Sequence, residues 1–225
     1  MDVRSRPGRR VGGDPMAEKR KVTNLLGLAV LAYLSRGPMH PYELSRTLRD
    51  NDDTRSIRFT HGSLYSVVRQ LARAGYIVET ETVRDSRRPE RTLYAITEAG
   101  KRELHDWLRD LVETPVEEYP HFLAALSLIA AIPPGEAVSL LATRVARLEQ
   151  RRDENRALVD ATLAKGVHPL FLVEEDYRLA MIEAEIAFIE RLIRRITDPD
   201  TGWERAWAAF HEGAAQAQET ERRNA

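Results

Sequence analysis

The sequence predicts a mainly α-helical chain in two parts. In front stand three short helices, one β-hairpin and a connecting helix; behind them run antiparallel, coiled-coil-like helices. Three observations carry this prediction. Apolar residues recur at helical spacing over most of the chain. Two runs rich in β-branched residues flank a single polar turn. The charge also changes sign between the halves: residues 1–91 hold 18 Lys+Arg against 11 Asp+Glu, whereas 92–225 hold 16 against 24. A formal total of −1 over 225 residues hides this asymmetry, which suits a nucleic-acid reader joined to a separate assembly part.

Composition narrows the function classes. With 43% hydrophobic and 31% charged residues, the chain has material for a core and a solvated surface. It contains no cysteine, which excludes disulfide scaffolds, thiolate-ligated zinc, iron–sulfur clusters and thiol catalysis. No apolar run approaches the ~18 residues of a membrane span, and no signal-peptide pattern follows the basic N-terminus. A soluble, cytoplasmic protein is expected.

Residues 1–20 combine Pro, Gly and a cluster of arginines (Arg4, Arg6, Arg9, Arg10) and are expected to be a disordered basic tail. Thr23 or Asn24 can cap a first helix with an apolar face of Leu25, Leu28 and Leu31 and neighbouring Leu26, Ala29 and Ala32, ended by Gly37-Pro38. Pro41 suits the first turn of a second helix that continues through Tyr42, Leu44 and Leu48. A third helix opens near Thr60 or His61. Leu64, Val67, Val68 and Leu71 form its buried stripe, Ser66, Arg69, Gln70 and Arg73 face outward, and Gly75 stops it. The hairpin runs over 77–83 and 91–96, around a turn holding Arg87 and Arg88. Thr97 caps the connecting helix, whose face is Leu104, Trp107, Leu108 and Leu111.

Pro115 and Glu117-Glu118 mark a boundary. One helix is expected over 122–132 and a long one over 134–165, with Leu141, Val145, Leu148, Arg152, Asn155, Val159 and Thr162 at heptad spacing. A last helix places Leu179, Ile182, Ile186, Ile189, Ile193 and Ile196 on one seam. The expected divisions are a tail at 1–20, a first domain at 21–113, a helical domain at 116–198, and a partly helical or disordered tail at 199–225.

Helix, helix, helix, hairpin with a basic turn, helix is the order of a winged helix-turn-helix. A helix fits the major groove, where base edges carry a distinguishing donor and acceptor pattern. Arg69, Gln70, Arg73 and Ser66 are the candidates to read it. Thr60, His61 and Ser63, at the helix N-terminus where backbone N–H groups favour phosphate, are candidate backbone contacts, with Tyr65 and Tyr42 beside them. Arg87, Arg88 and Arg91 on the wing suit phosphates or the minor groove. The simpler reading of the third helix alone is an ordinary solvated face; the nearby basic turn favours the DNA reading.

These residues resemble the PadR family of bacterial transcriptional regulators. The matching stretches are Leu26-Gly27-Leu28, Gly37-Pro38-Met39-His40-Pro41-Tyr42-Glu43-Leu44, residues 62–71, Gly75-Tyr76-Ile77 and residues 91–100. The sequence departs from the family pattern at Pro41, often Gly there, and in a wing turn without glycine. The resemblance implies a homodimer that binds double-stranded DNA at a pseudo-palindromic operator. It implies a repressor that responds to a small molecule, with the C-terminal helices packed across a two-fold axis. The isoleucine seam, Leu179 included, is the candidate dimerisation surface; its alternative is packing on the 134–165 helix of the same chain, and both hold at once if the two helices form a hairpin that docks on its twin.

No cofactor and no metal are expected, and a small aromatic molecule is the candidate effector. Trp107, Tyr119, His121, Phe122 and Trp203 are candidates to wall its cavity where the two parts meet, because aromatic walls suit a planar ligand. For Trp107 the simpler reading is plain core. Three other functions compete. An enzyme is not expected, since the six histidines stand far apart in sequence, with no HExxH or GxSxG pattern. A metal-responsive regulator lacks a closely spaced ligand set. A helical protein-interaction module without DNA binding is the third.

Overall fold

The computed structural model describes residues 20–83, 91–200 and 203–211. The chain forms two compact units, divided between Glu117 and Glu118. Among the described residues no helix is long and apolar enough to cross a membrane.

In the first unit Asn24 opens α1 (Leu25–Leu34), its side chain accepting the Leu26 N–H at 3.0 Å. The expected apolar face of α1 widens to take in Val30, Tyr33 and Leu34. The helix is buried nearly all round, from Leu26 to Leu34, while Leu25 is exposed. An all-apolar helix of this kind is the centre of a core rather than its edge.

His40 caps α2 (Pro41–Asp50), its Nδ1 accepting the Tyr42 N–H at 3.0 Å while Glu43 Oε2 accepts the His40 N–H at 3.1 Å. Thr60 caps α3 (His61–Arg73), whose predicted stripe of Leu64, Val67, Val68 and Leu71 is fully buried against α1 and α2. After α3 the chain reverses through Gly75 at φ +79°, a left-handed conformation that a Cβ disfavours.

Strands β1 (Ile77–Val83) and β2 (Arg91–Ile96) pair antiparallel, Ile77 opposite Ile96 and Glu79 opposite Tyr94. A bulge between Glu79 and Thr82 sets two β1 residues against one of β2. Met39 bridges to Tyr94 through a reciprocal pair of 3.0 Å backbone hydrogen bonds, so the loop before α2 is tied to the hairpin.

Thr97 caps α4 (Glu98–Glu113). Leu104 and Trp107 are buried as predicted, but Leu108 and Leu111, expected on the same face, are exposed. The core under α4 is only wide enough for its inner edge.

Arg20, expected to lie in a disordered tail, is instead pinned to α4. It ion-pairs with Glu103 at 2.5 Å and with Asp110, and its guanidinium stands 4.9 Å from the Trp107 ring centre. Val22 beside it is buried. The rest of the expected tail, residues 1–19, lies outside the described residues.

In the second unit the helix expected over 122–132 is broken. It forms α5 (His121–Ser127) and then a 3-10 turn, Ile129–Ala131. The long helix α6 (Pro134–Ala164) and the last long helix α7 (Val173–Thr197) pack on each other, and α8 spans 203–211. Trp207 of α8 donates its indole N–H to the Ile132 carbonyl at 2.9 Å.

The isoleucine seam takes the intrachain role that was its alternative reading. Ile186, Ile189 and Ile196 are buried in one cluster with Leu141 and Leu148 of α6, and Ile182 and Ile193 pack against that cluster. The ladder, Leu179 at its half-buried end, is therefore used inside one chain. The partner helix is tethered by a short connection, so it meets the seam before a second copy can. Asn155 occupies a buried position in this contact and donates to the Glu175 carbonyl at 3.3 Å. Glu175 is itself buried and pairs with Arg178 at 3.1 Å. These polar groups fix the register of α6 against α7.

Ile186→Asp is therefore expected to unfold the second unit rather than to release intact monomers. An unpaired buried carboxylate costs about 4 kcal/mol or more, a large share of a domain's ~5–15 kcal/mol. Circular dichroism should show lost helix; a fully helical monomer would contradict the intramolecular role.

Candidate nucleic-acid interface

The α3 N-terminus is built by its own side chains. Ser63 N–H donates to Thr60 Oγ1 at 3.2 Å, and Thr60 N–H donates to Ser63 Oγ at 2.7 Å. The Ser63 hydroxyl also donates to the Thr60 carbonyl at 2.9 Å. The Thr60 and Ser63 hydroxyls, expected to be phosphate contacts, are thus engaged in a capping box. The backbone N–H groups of His61 and Gly62 have no bond among the described residues, and both residues are exposed. They point along the positive end of a 13-residue helix, a ready place for a phosphate oxygen.

Arg69, Gln70 and Arg73 are all exposed on the side of α3 opposite its buried stripe. Tyr65 is exposed beside them and Ser66 is half-buried. The base of the wing stands close. The Tyr94 hydroxyl donates to Glu79 Oε1 at 3.1 Å. Burial above all, then the Glu79 carboxylate, raises the Tyr94 phenol above its ordinary value, and the nearby Arg69 charge opposes this weakly. Arg69 is therefore within electrostatic reach of β2. Helix α3 and strand β1 at the wing base pack on each other.

Tyr42 is exposed on α2. Arg46 and Arg49, exposed on the same helix, were not among the sequence candidates, although their spacing from Tyr42 was visible. Arg49 lies 5.9 Å from the Phe59 ring centre, which holds it near the start of α3. The turn between α2 and α3 is anchored to α1: the Tyr33 hydroxyl donates to Asp53 and accepts from Asn51 Nδ2 at 2.8 Å. Burial is the largest cause holding the Tyr33 phenol above its usual value, so it stays protonated and keeps donating.

Arg87 and Arg88 lie outside the described residues, as does the side chain of Arg91, whose backbone pairs with Val83.

The five aromatic-wall candidates divide between the two units. Trp107 belongs to the first unit, buried under Arg20 and against the Gly27 region, which is the plain-core role. Tyr119, His121 and Trp203 belong to the second unit and are exposed, and half-buried Phe122 is covered by the Arg144 guanidinium at 3.7 Å. Among the described residues no group of three His, Asp or Glu is placed to hold a metal ion.

Residues 30–106 match the model of the Transcriptional regulator PadR-like family, a stretch running from α1 into α4. Over this stretch the chain is similar to the PadR-like family. A curated relative, the negative transcriptional regulator PadR of Bacillus subtilis, is 27% identical over 109 residues. That stretch is 46% of this chain and 59% of the relative's length. Two solved structures of Bacillus subtilis PadR share the fold. The one in complex with operator DNA has a TM-score of 0.63 at 20% identity, over 77% of this chain and 99% of that one. The one in complex with p-coumaric acid has a TM-score of 0.65 at 18% identity, over 78% and 100%. The likeness reaches beyond the PadR-like domain and includes helices of the second unit.

Proposed function

We propose that this chain is a sequence-specific, DNA-binding transcriptional repressor of the cytoplasm, without enzymatic activity, that binds a pseudo-palindromic operator as a homodimer. The observation that carries the reading is the α3 face. Arg69, Gln70 and Arg73 stand exposed between two unengaged backbone N–H groups and the base of the wing. Arg and Gln are the side chains that pair bidentately with guanine and adenine edges, and the N–H groups suit a flanking phosphate. The operator complex of the Bacillus subtilis relative supports the partner. Its p-coumaric acid complex supports release by a small aromatic effector.

A dimer needs a surface other than the isoleucine seam. Val173, Tyr177, Met181 and Phe188 of α7 are exposed, and at ~100° per residue they share the helix face turned away from α6. This stripe is the dimer contact in the present reading.

A mobility-shift titration over the chain's own upstream region tests the function. Affinity should fall steeply with salt, and a scrambled duplex should bind at least ~1,000-fold more weakly. Equal affinity for the two duplexes, or none for either, would refute a sequence-specific regulator.

A further inference from the structure

A groove of about 530 Å³ lies wholly within the second unit, between α5 with its following turn and α6. That volume is in the range of sites for small organic molecules, ~300–1,000 Å³. Its walls are aliphatic: Leu126, Leu128, Ile129 and Ile132 on one side, Leu140 and Leu148 on the other. Phe122 also borders it, but Arg144 lies over that ring at 3.7 Å, so the face is taken. Nothing else aromatic lines the groove.

One rim is cationic. Arg144, Arg147 and Arg151 follow each other at three and four residues, so they share a face of α6. Arg144 is committed, its Nε donating to Glu185 Oε1 at 2.6 Å. Arg147 and Arg151 are exposed and make no ion pair or hydrogen bond among the described residues. They keep this state in the half of the chain where carboxylates outnumber cations by 24 to 16.

We propose that this groove binds an amphipathic carboxylate, an anionic head on an aliphatic chain. Arg147 and Arg151 are four residues, ~6 Å of helix rise, apart on α6, so their guanidiniums can reach and donate to one carboxylate. The head sits at Arg147 and Arg151, and the chain runs along the leucine and isoleucine walls. Each half of such a ligand meets what the groove offers. A neutral hydrocarbon leaves the arginines without a partner, a small inorganic anion leaves the walls wet, and a planar aromatic acid finds no open ring to stack on. No residue of α5 or of the turn after it is fully buried, so that wall has room to close on an aliphatic chain. This site differs from the aromatic-walled one sought between the two parts, and it stands whether or not the chain binds DNA.

Isothermal titration of the full chain with dodecanoate, with dodecan-1-ol as the uncharged control, tests the site. Dodecanoate should bind about one per chain, and the alcohol at least ~10-fold more weakly, because only the carboxylate engages the arginines. Arg147→Ala combined with Arg151→Ala should weaken dodecanoate by about 10-fold or more and leave the alcohol unchanged. Both side chains are exposed, so the thermal midpoint should not move. Leu128→Asp, also at an exposed position, should weaken both ligands. Equal binding of acid and alcohol, or full affinity in the arginine variant, would overturn the proposal. So would absent dodecanoate binding together with a dimer that Leu128→Asp dissociates, since a second copy would then fill the groove. No arm of the experiment reads DNA, so a failure here leaves the regulator reading to its own test.

Discussion

Gly100→Ala should destabilise the first unit by about 3 kcal/mol or more, lowering its thermal midpoint by roughly 12 °C or more. Ordinarily the exchange would help, since alanine is favoured over glycine inside a helix by up to ~1 kcal/mol. Here the added Cβ would stand 2.1 Å from the Tyr76 carbonyl oxygen and 2.8 Å from an Ile96 side-chain carbon. The obstacle is backbone, and it is held. The Tyr76 carbonyl accepts the Thr97 N–H at 3.0 Å and the Thr97 hydroxyl at 3.1 Å, and the same hydroxyl reaches the Gly75 carbonyl at 2.7 Å. Moving Tyr76 therefore breaks the cap of α4, and moving α4 withdraws Leu104 and Trp107 from the core. Calorimetry reads the midpoint directly; an unchanged or raised value would show that α4 does not sit this close to the start of β1.

Arg69→Ala is expected to weaken operator binding by ~1–3 kcal/mol, about 5- to 150-fold, and to relax base choice at one position of each half-site. Arg69 is singled out because it is exposed on α3 and its charge is felt by Tyr94 at the base of the wing. The folded state should not suffer, since none of the core rests on Arg69. Competition between operator and scrambled DNA separates the two roles an arginine can play. Loss confined to the operator marks base reading. An equal loss on both duplexes would make Arg69 a phosphate contact and move base reading to Gln70 and Arg73.

Much of the first unit was legible before any coordinates. The alternatives at each helix start were short, and the structure selects Asn24, Thr60 and Thr97, because a side-chain oxygen near a free backbone N–H is a local matter. The hairpin limits and the α3 stripe were equally local, set by β-branched runs and by a period of 3.6. The outward face of α3 followed from the same period. What its residues do with their hydrogen bonds did not. Thr60 and Ser63 satisfy each other, while the His61 and Gly62 backbone N–H groups have no bond among the described residues. The single helix expected over 122–132 failed for a related reason: an apolar run shows no break until the packing around it is known.

The sequence by itself determined the order of elements, their caps, the buried side of α3 and the existence of an apolar seam on α7. These are properties of neighbours a few residues apart. Only the tertiary structure decided what each apolar face meets. It turned the isoleucine ladder onto α6, left Leu108 and Leu111 in solvent, set Arg20 against Trp107 and brought Gly100 against Tyr76. Periodicity says that a face must be covered. Which surface covers it depends on the distance and direction of segments far along the chain.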